Sequence, residues 1–166
     1  VSLCITMLGI LSFWMGLMQV GSASGLIGRM TRGIRPALRC LFPGIPEEHP
    51  ALEQIAVNCI ANVLGLGWAA TPAGLKAMED LKELEEERRR ADPMYARSVP
   101  EGTASGEMCT FLIINISSLQ LIPVNMIAYR SQYGSRVPMA IVGPALVITL
   151  ATTLVAVVFC LAKQRQ

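Results

Sequence analysis

Asn58-Cys59-Ile60-Ala61-Asn62-Val63-Leu64-Gly65-Leu66-Gly67-Trp68-Ala69-Ala70-Thr71-Pro72 lies inside a window, residues 54–75, that holds no Asp, Glu, Lys or Arg. Asn58 and Asn62 are four apart and share one face of a helix. Gly65-x-Gly67 interrupts that helix. Thr71 then reads as an N-cap and Pro72 as a first helical residue, so a fresh helix starts there and runs through Lys76, Met78 and Leu81 to Arg90. Two helices meeting in the middle of an uncharged window make a re-entrant hairpin, with both outer ends on the same side of a membrane.

Three further windows carry no charge: 1–28, 108–129 and 137–162. Each is long enough to enter a hydrocarbon core of about 30 Å, which takes about 20 helical residues to cross. The 166 residues are 52% hydrophobic and 16% charged, against about 25% charged in a soluble domain. A soluble domain of this size has no interior for four such stretches. The expected fold is an all-α polytopic integral membrane protein, one gate-type domain over 1–166, with one re-entrant helical hairpin and one Pro-broken transmembrane helix.

Its parts follow from the punctuation of the chain. Residues 3–20 form a first span, with Gly9, Ser12 and Gly16 permitting close packing. The chain opens on Val1 inside this run, without the basic start or cleavage site of a signal peptide, and an upstream segment is expected. Over 26–42, Arg29, Arg32, Arg35 and Arg39 recur every three or four residues among Met30, Ile34, Leu38 and Leu41. That is an amphipathic helix at the membrane surface, apolar face down, with Gly33 and Pro36 placing a kink. Pro43 to Pro46 is a turn. The hairpin covers 51–90 and extends into a soluble helix, where Glu85–Arg89 and Glu86–Arg90 are favourable i,i+4 pairs. Residues 92–105 form a polar loop, 107–130 a span broken at Pro123, and 139–162 the last span.

Charge counting supports this layout. Arg29, Arg32, Arg35, Arg39, Lys76, Lys82, Arg88, Arg89, Arg90, Arg97, Lys163 and Arg165 fall on one side, and only Arg130 and Arg136 on the other. Twelve against two is a strong positive-inside bias, which puts Arg29–Arg39, Lys76–Arg97 and Lys163–Arg165 in the cytoplasm. A hairpin that crossed instead would split the positives and lose the bias.

The second break reads Asn115-Ile116-Ser117-Ser118-Leu119-Gln120-Leu121-Ile122-Pro123-Val124-Asn125. Irregular backbone at membrane depth survives only where protein buries it or a watery cavity receives it, and paired interruptions point to a transporter's binding site. The candidate substrate-binding residues are Asn58, Asn62, Gly65, Gly67, Thr71, Pro72, Asn115, Ser117, Ser118 and Pro123. The site is polar without charge, suited to a neutral hydrogen-bonding ligand or an anionic group held by helix ends. The competing reading is that these groups bond helices together, for about 0.6–2 kcal/mol each.

No metal or cofactor is expected. The five cysteines are at least 19 residues apart, and the single His49 stands alone in a loop. Gly65-x-Gly67 lacks the Lys-Ser/Thr of a phosphate loop. An enzyme is not expected either, because no Ser/His pair, His/Glu cluster or embedded carboxylate pair occurs in the apolar segments. The arginine helix is not read as a nucleic-acid surface.

Phe13-Trp14-Met15-Gly16-Leu17-Met18, Arg35-Pro36, Leu41-Phe42-Pro43, His49-Pro50-Ala51, Asn58 through Met78, Met108 through Leu112, Asn115-Ile116-Ser117-Ser118, Leu121-Ile122-Pro123 and Val142-Gly143-Pro144 resemble the spore maturation protein A family, part of the nucleoside-recognition or gate-domain group. The resemblance covers nearly the whole chain outside Glu83–Gly102. It implies a multi-pass protein of the bacterial cytoplasmic membrane, with one more N-terminal span, linked to dehydration of the spore core. It also implies a partner with a second gate domain, similar to spore maturation protein B, or a homo-oligomer. Gate domains of this group occur in concentrative nucleoside transporters and ferrous-iron transport protein B. Where the family has Gly-Leu-Gly-Asn, this chain has Gly65-Leu66-Gly67-Trp68, and an indole there narrows a cavity. The expected function is a gate or transport-like subunit that binds or passes a small polar solute. The alternative is a non-transporting scaffold whose polar motifs fix helix packing and partner assembly.

Overall fold

A computed structural model describes residues 24–65, 67–117 and 120–164, with Ile5, Leu8, Gly9, Ser12, Phe13, Gly16 and Val20, which are helical. The remainder of the expected span 3–20, Ser118, and the indole of Trp68 lie outside the described residues. Every regular element among the described residues is helical: α1 (Leu26–Leu41), α2 (Pro50–Val63), α3 (Gly67–Ala91), α4 (Pro93–Ser98), α5 (Gly106–Ile116), α6 (Val124–Gln132), a 3-10 turn (Pro138–Ile141) and α7 (Val142–Gln164).

The helix starts follow local chemistry. His49 caps α2, its Nδ1 accepting from the Ala51 N–H at 3.3 Å, with Pro50 at the first position. This is the structural role a lone loop histidine suggests. Ser105 Oγ accepts from the Met108 N–H at 3.4 Å and starts α5. Asp92 accepts from the Met94 N–H at 2.8 Å and starts α4. The expected loop 92–105 therefore contains one short helix, because Asp92-Pro93 is itself a cap followed by a favoured first residue.

Thr71 and Pro72 depart from expectation. α3 starts at Gly67, so Thr71 is not its N-cap and Pro72 lies inside it. The local rule fails because Pro72 is only the sixth residue of the helix. It forgoes one backbone bond, to the Trp68 carbonyl, while the Thr71 hydroxyl donates to the Gly67 carbonyl at 3.3 Å. α2 ends at Val63, and α3 begins four residues before Thr71.

α2 and α3 lie antiparallel, packed through Ala51, Ile55 and Ala56 against Ala77, Leu81 and Leu84. Phe111 of α5 and Phe42, just after α1, complete the core. Alanines let these backbones approach closely. The apolar side of α1, expected to face lipid, is partly taken up by protein: Leu38 is buried, and Ile34 and Leu41 pack on the core beside it. Arg29, Arg32, Arg35 and Arg39 are exposed on the other side, with Arg39 paired to Glu47. Glu86–Arg90 forms as expected at 3.4 Å. Glu85–Arg89 does not: Arg89 Nε donates to the Val99 carbonyl at 3.0 Å, and Glu85 turns to Arg88.

Pro138–Gln164 is a continuous helical stretch of 27 residues, long and apolar enough to cross a membrane and only 11% buried over its most apolar part. Ile148, Val155, Val158 and Phe159 are among its exposed side chains. Contacts fix its ends. Gln164 Nε2 donates to the Leu41 carbonyl. Nearby, Arg88 donates to Glu107 at 3.0 Å and to the Gly44 carbonyl, tying α3 to α5 and to the turn after α1. At the opposite end Arg130 donates to Ser135 Oγ at 3.1 Å and the Val137 carbonyl at 3.4 Å, closing the turn between α6 and α7.

Candidate solute site

The two chain breaks touch. The Leu121 N–H donates to the Val63 carbonyl at 2.8 Å. Gly65 is buried at φ +76°, where a Cβ would come within 1.8 Å of the Ile122 carbonyl oxygen. Only glycine fits, for both conformation and space. Pro123 is buried at the start of α6, and without an N–H it suits a helix end.

A chain of carboxamides runs alongside this junction. Asn58 is 1% exposed and donates through Nδ2 to the Ala70 carbonyl at 2.8 Å. Asn62 Nδ2 donates to Asn58 Oδ1 at 3.2 Å and to Asn115 Oδ1 at 2.8 Å. The i,i+4 asparagines of α2 thus reach α3 on one side and α5 on the other. Gly74 makes this packing close, since a Cβ there would lie 2.8 Å from Asn58 Nδ2.

From the last helix, Thr153 Oγ1 donates to the Ser117 carbonyl at 2.8 Å. Thr152 Oγ1 reaches the same carbonyl at 3.4 Å. Both threonines stand near the midpoint of Pro138–Gln164, so the second break lies against the middle of that helix.

An open cavity of about 570 Å³ occupies the angle between α3, α5 and α7. Asn58, Asn62, Gly67, Thr71, Asn115 and Ser117, six of the sequence-derived candidates, line it. Gln120, Thr149 and Thr152 add polar groups, and Leu75, Met78, Phe111 and Ile116 add apolar ones. Among the described residues that line it, none is Asp, Glu, Lys or Arg. Gly65 and Pro123 belong to the junction rather than the cavity wall. Pro72 is exposed and faces a second cleft, of about 990 Å³, which Lys76, Glu79, Lys82 and Glu86 also line. Thr149 and Thr152 were missed in the sequence. Their i,i+3 spacing in an apolar run is the signal that marks one polar face.

Outside the apolar segments a charged network surrounds Arg88. Glu85 is 2% exposed and lies 3.8 Å from Arg88. Burial pushes the Tyr95 phenol above its ordinary pKa, with the Glu85 carboxylate adding to the rise and Arg88 opposing it. Among the described residues no group of three or more His, Cys, Asp or Glu is placed to hold a metal ion.

No family model and no solved structure matches this chain. Over 152 residues it is 41% identical to spore maturation protein A of Bacillus subtilis strain 168, an alignment that covers 92% of this chain and 71% of that protein. The motifs singled out above and this identity along almost the whole sequence lead to one conclusion: the chain belongs to the spore maturation protein A family.

Proposed function

We propose that the chain is a membrane-embedded gate subunit acting in spore maturation, which binds or passes a small polar solute in company with a second gate-domain protein. The spore-maturation role rests on the 41% identity to spore maturation protein A. The gate reading rests chiefly on one observation: an uncharged polar cavity where two helix breaks meet, against the midpoint of a helix long enough to cross a bilayer.

Supporting geometry follows from lengths. α5 has 11 residues, about 16 Å at 1.5 Å each, which reaches from one membrane face to the middle of a core of about 30 Å. Its first turn lies beside Arg88, the Gly44 turn and the Lys163 end of α7. These belong to the basic side in the charge count, and the Arg130 turn lies at the other end. α2–α3 is then a hairpin that enters from the basic side and turns back at Gly65. A half-open wall of this kind is completed by a partner.

The scaffold reading has its own observation: Asn58, Asn62 and Asn115 hydrogen-bond to one another and to Ala70, as packing groups do. Asn58→Leu and Asn115→Leu, introduced separately into a sporulating host in place of the native copy, separate the two. On the gate reading both variants accumulate and co-purify with the partner while spore resistance falls. Loss of the complex itself supports the scaffold instead.

A further inference from the structure

Each hydroxyl that lines the cavity among the described residues has one proton, and each gives it to the protein. Thr71 Oγ1 lies 3.3 Å from the Gly67 carbonyl, and Ser117 Oγ lies 3.0 Å from that of Ile114. Thr149 Oγ1 lies 3.3 Å from the Leu146 carbonyl, and Thr152 Oγ1 lies 3.0 Å from that of Thr149. A carbonyl oxygen only accepts, so the hydroxyl is the donor in all four bonds. What these groups retain for a ligand is lone pairs.

The carboxamides point the same way. Asn62 directs its Nδ2 at Asn58 and Asn115, which leaves its Oδ1 as an acceptor. Asn58 Nδ2 donates to Ala70 and is pressed against Gly74. Against these oxygens stand the Gln120 carboxamide and the backbone N–H groups at the start of α3 near Gly67. Among the described residues no cationic side chain lines the site.

We propose that the cavity is an acceptor site, taking a solute that gives hydrogen bonds, either a primary ammonium or a polyhydroxyl compound, and rejecting carboxylates and phosphates. This rests on the solute-binding reading above. An anion brought against neutral lone-pair oxygens loses its water without a replacement, and in a low-dielectric site that loss is severe. A donor exchanges its bonds to water for bonds to Thr, Ser and Asn oxygens. The lack of a carboxylate in the wall limits the solute to a neutral or singly charged species.

The test uses the chain in lipid nanodiscs, titrated with methylammonium, glycerol, acetate and inorganic phosphate while the thermal unfolding midpoint is followed. Methylammonium or glycerol is expected to raise the midpoint saturably, and whichever acts identifies the donor as ammonium or polyhydroxyl. Acetate and phosphate are expected to do no more than an ionic-strength control. Thr71→Val and Thr152→Val keep the shape and remove the lone pairs, and each weakens the apparent Kd about fivefold. Thr153→Val is the control, because Thr153 caps Ser117 without lining the cavity. Its Kd stays that of the wild type. Saturable binding of acetate or phosphate, with the donors silent, overturns the acceptor assignment while leaving a solute site in place. Silence of all four probes on a chain that unfolds normally overturns the solute-binding reading as well.

Discussion

Gly65 and Gly67 stand two residues apart, and replacing each with alanine should have opposite effects. At Gly65 the backbone is left-handed, φ +76°, which costs a residue with a Cβ about 1–2 kcal/mol. The added carbon would lie 1.8 Å from the Ile122 oxygen, where real contacts essentially never fall below 3.0 Å, so the two breaks must part by about 1.2 Å, the difference of those values. That shift breaks the 2.8 Å bond from Leu121 to Val63, and the loss of one backbone hydrogen bond costs about 0.5–1.5 kcal/mol. Gly65→Ala should therefore destabilise by about 1.5–3.5 kcal/mol, from the sum of those two ranges. At Gly67 nothing lies within 4 Å of a Cβ, and the residue begins α3. Gly67→Ala should be neutral or stabilising by up to about 1 kcal/mol. Thermal unfolding of both variants beside the wild type, in the same nanodiscs, reads the difference. If Gly65→Ala unfolds with Gly67→Ala, the two breaks do not touch as described and the argument for the junction fails.

Three other outcomes are expected. In a double-mutant cycle of Asn62→Ala and Asn115→Ala, unfolding should return a coupling of about 1 kcal/mol, since Asn62 donates to Asn115 at 2.8 Å; additivity within about 0.3 kcal/mol would mean the bond is absent. Lys76→Met should lower the unfolding midpoint, because Asp80 is 3% exposed and Lys76, at 3.1 Å, is its ion-pair partner; the Lys76→Met, Asp80→Asn double variant should recover part of the loss. The raised Tyr95 pKa gives a pH signature: the group's folded value exceeds its unfolded value, so its contribution is present below about pH 10 and is lost as pH rises through the folded value. Tyr95→Phe should flatten that alkaline fall in unfolding midpoint, and an unchanged slope would contradict the placement of Tyr95 beside Glu85.

What was legible in the sequence was the punctuation. Gly65, Gly67 and Pro123 interrupt uncharged windows, and in the structure one helix ends at Val63 and the next begins at Gly67, while another ends at Ile116 and its successor begins at Val124. Asn58, Asn62 and Asn115 stood out because an amide in an apolar run needs a partner, and they find one in each other. The start of α3 was misread because local rules favour Thr71-Pro72, whereas a proline in the second turn costs only one bond. Gly74 could not be singled out, because its role depends on how near α2 passes. Thr149 and Thr152 look like filler in an apolar helix until α5 is placed beside them. The apolar stripe of α1 gave no sign of whether lipid or α2 would cover it, since both offer the same chemistry.

The central claim is that the break at Gly65 lies at mid-bilayer depth with both ends of the hairpin on one side. Leu64 is 37% exposed at the turn, and Glu53 and Glu87 are exposed toward the outer ends of α2 and α3. Single cysteines at 64, 53 and 87, in a background with the native cysteines replaced, can be spin-labelled in oriented liposomes and read for collision with oxygen and with a water-soluble nickel chelate. The account predicts oxygen-rich, chelate-poor exposure at 64, and chelate access at 53 and 87 from the same face alone. Chelate access at 64 equal to that at 53, or access at 53 and 87 from opposite faces, would contradict it.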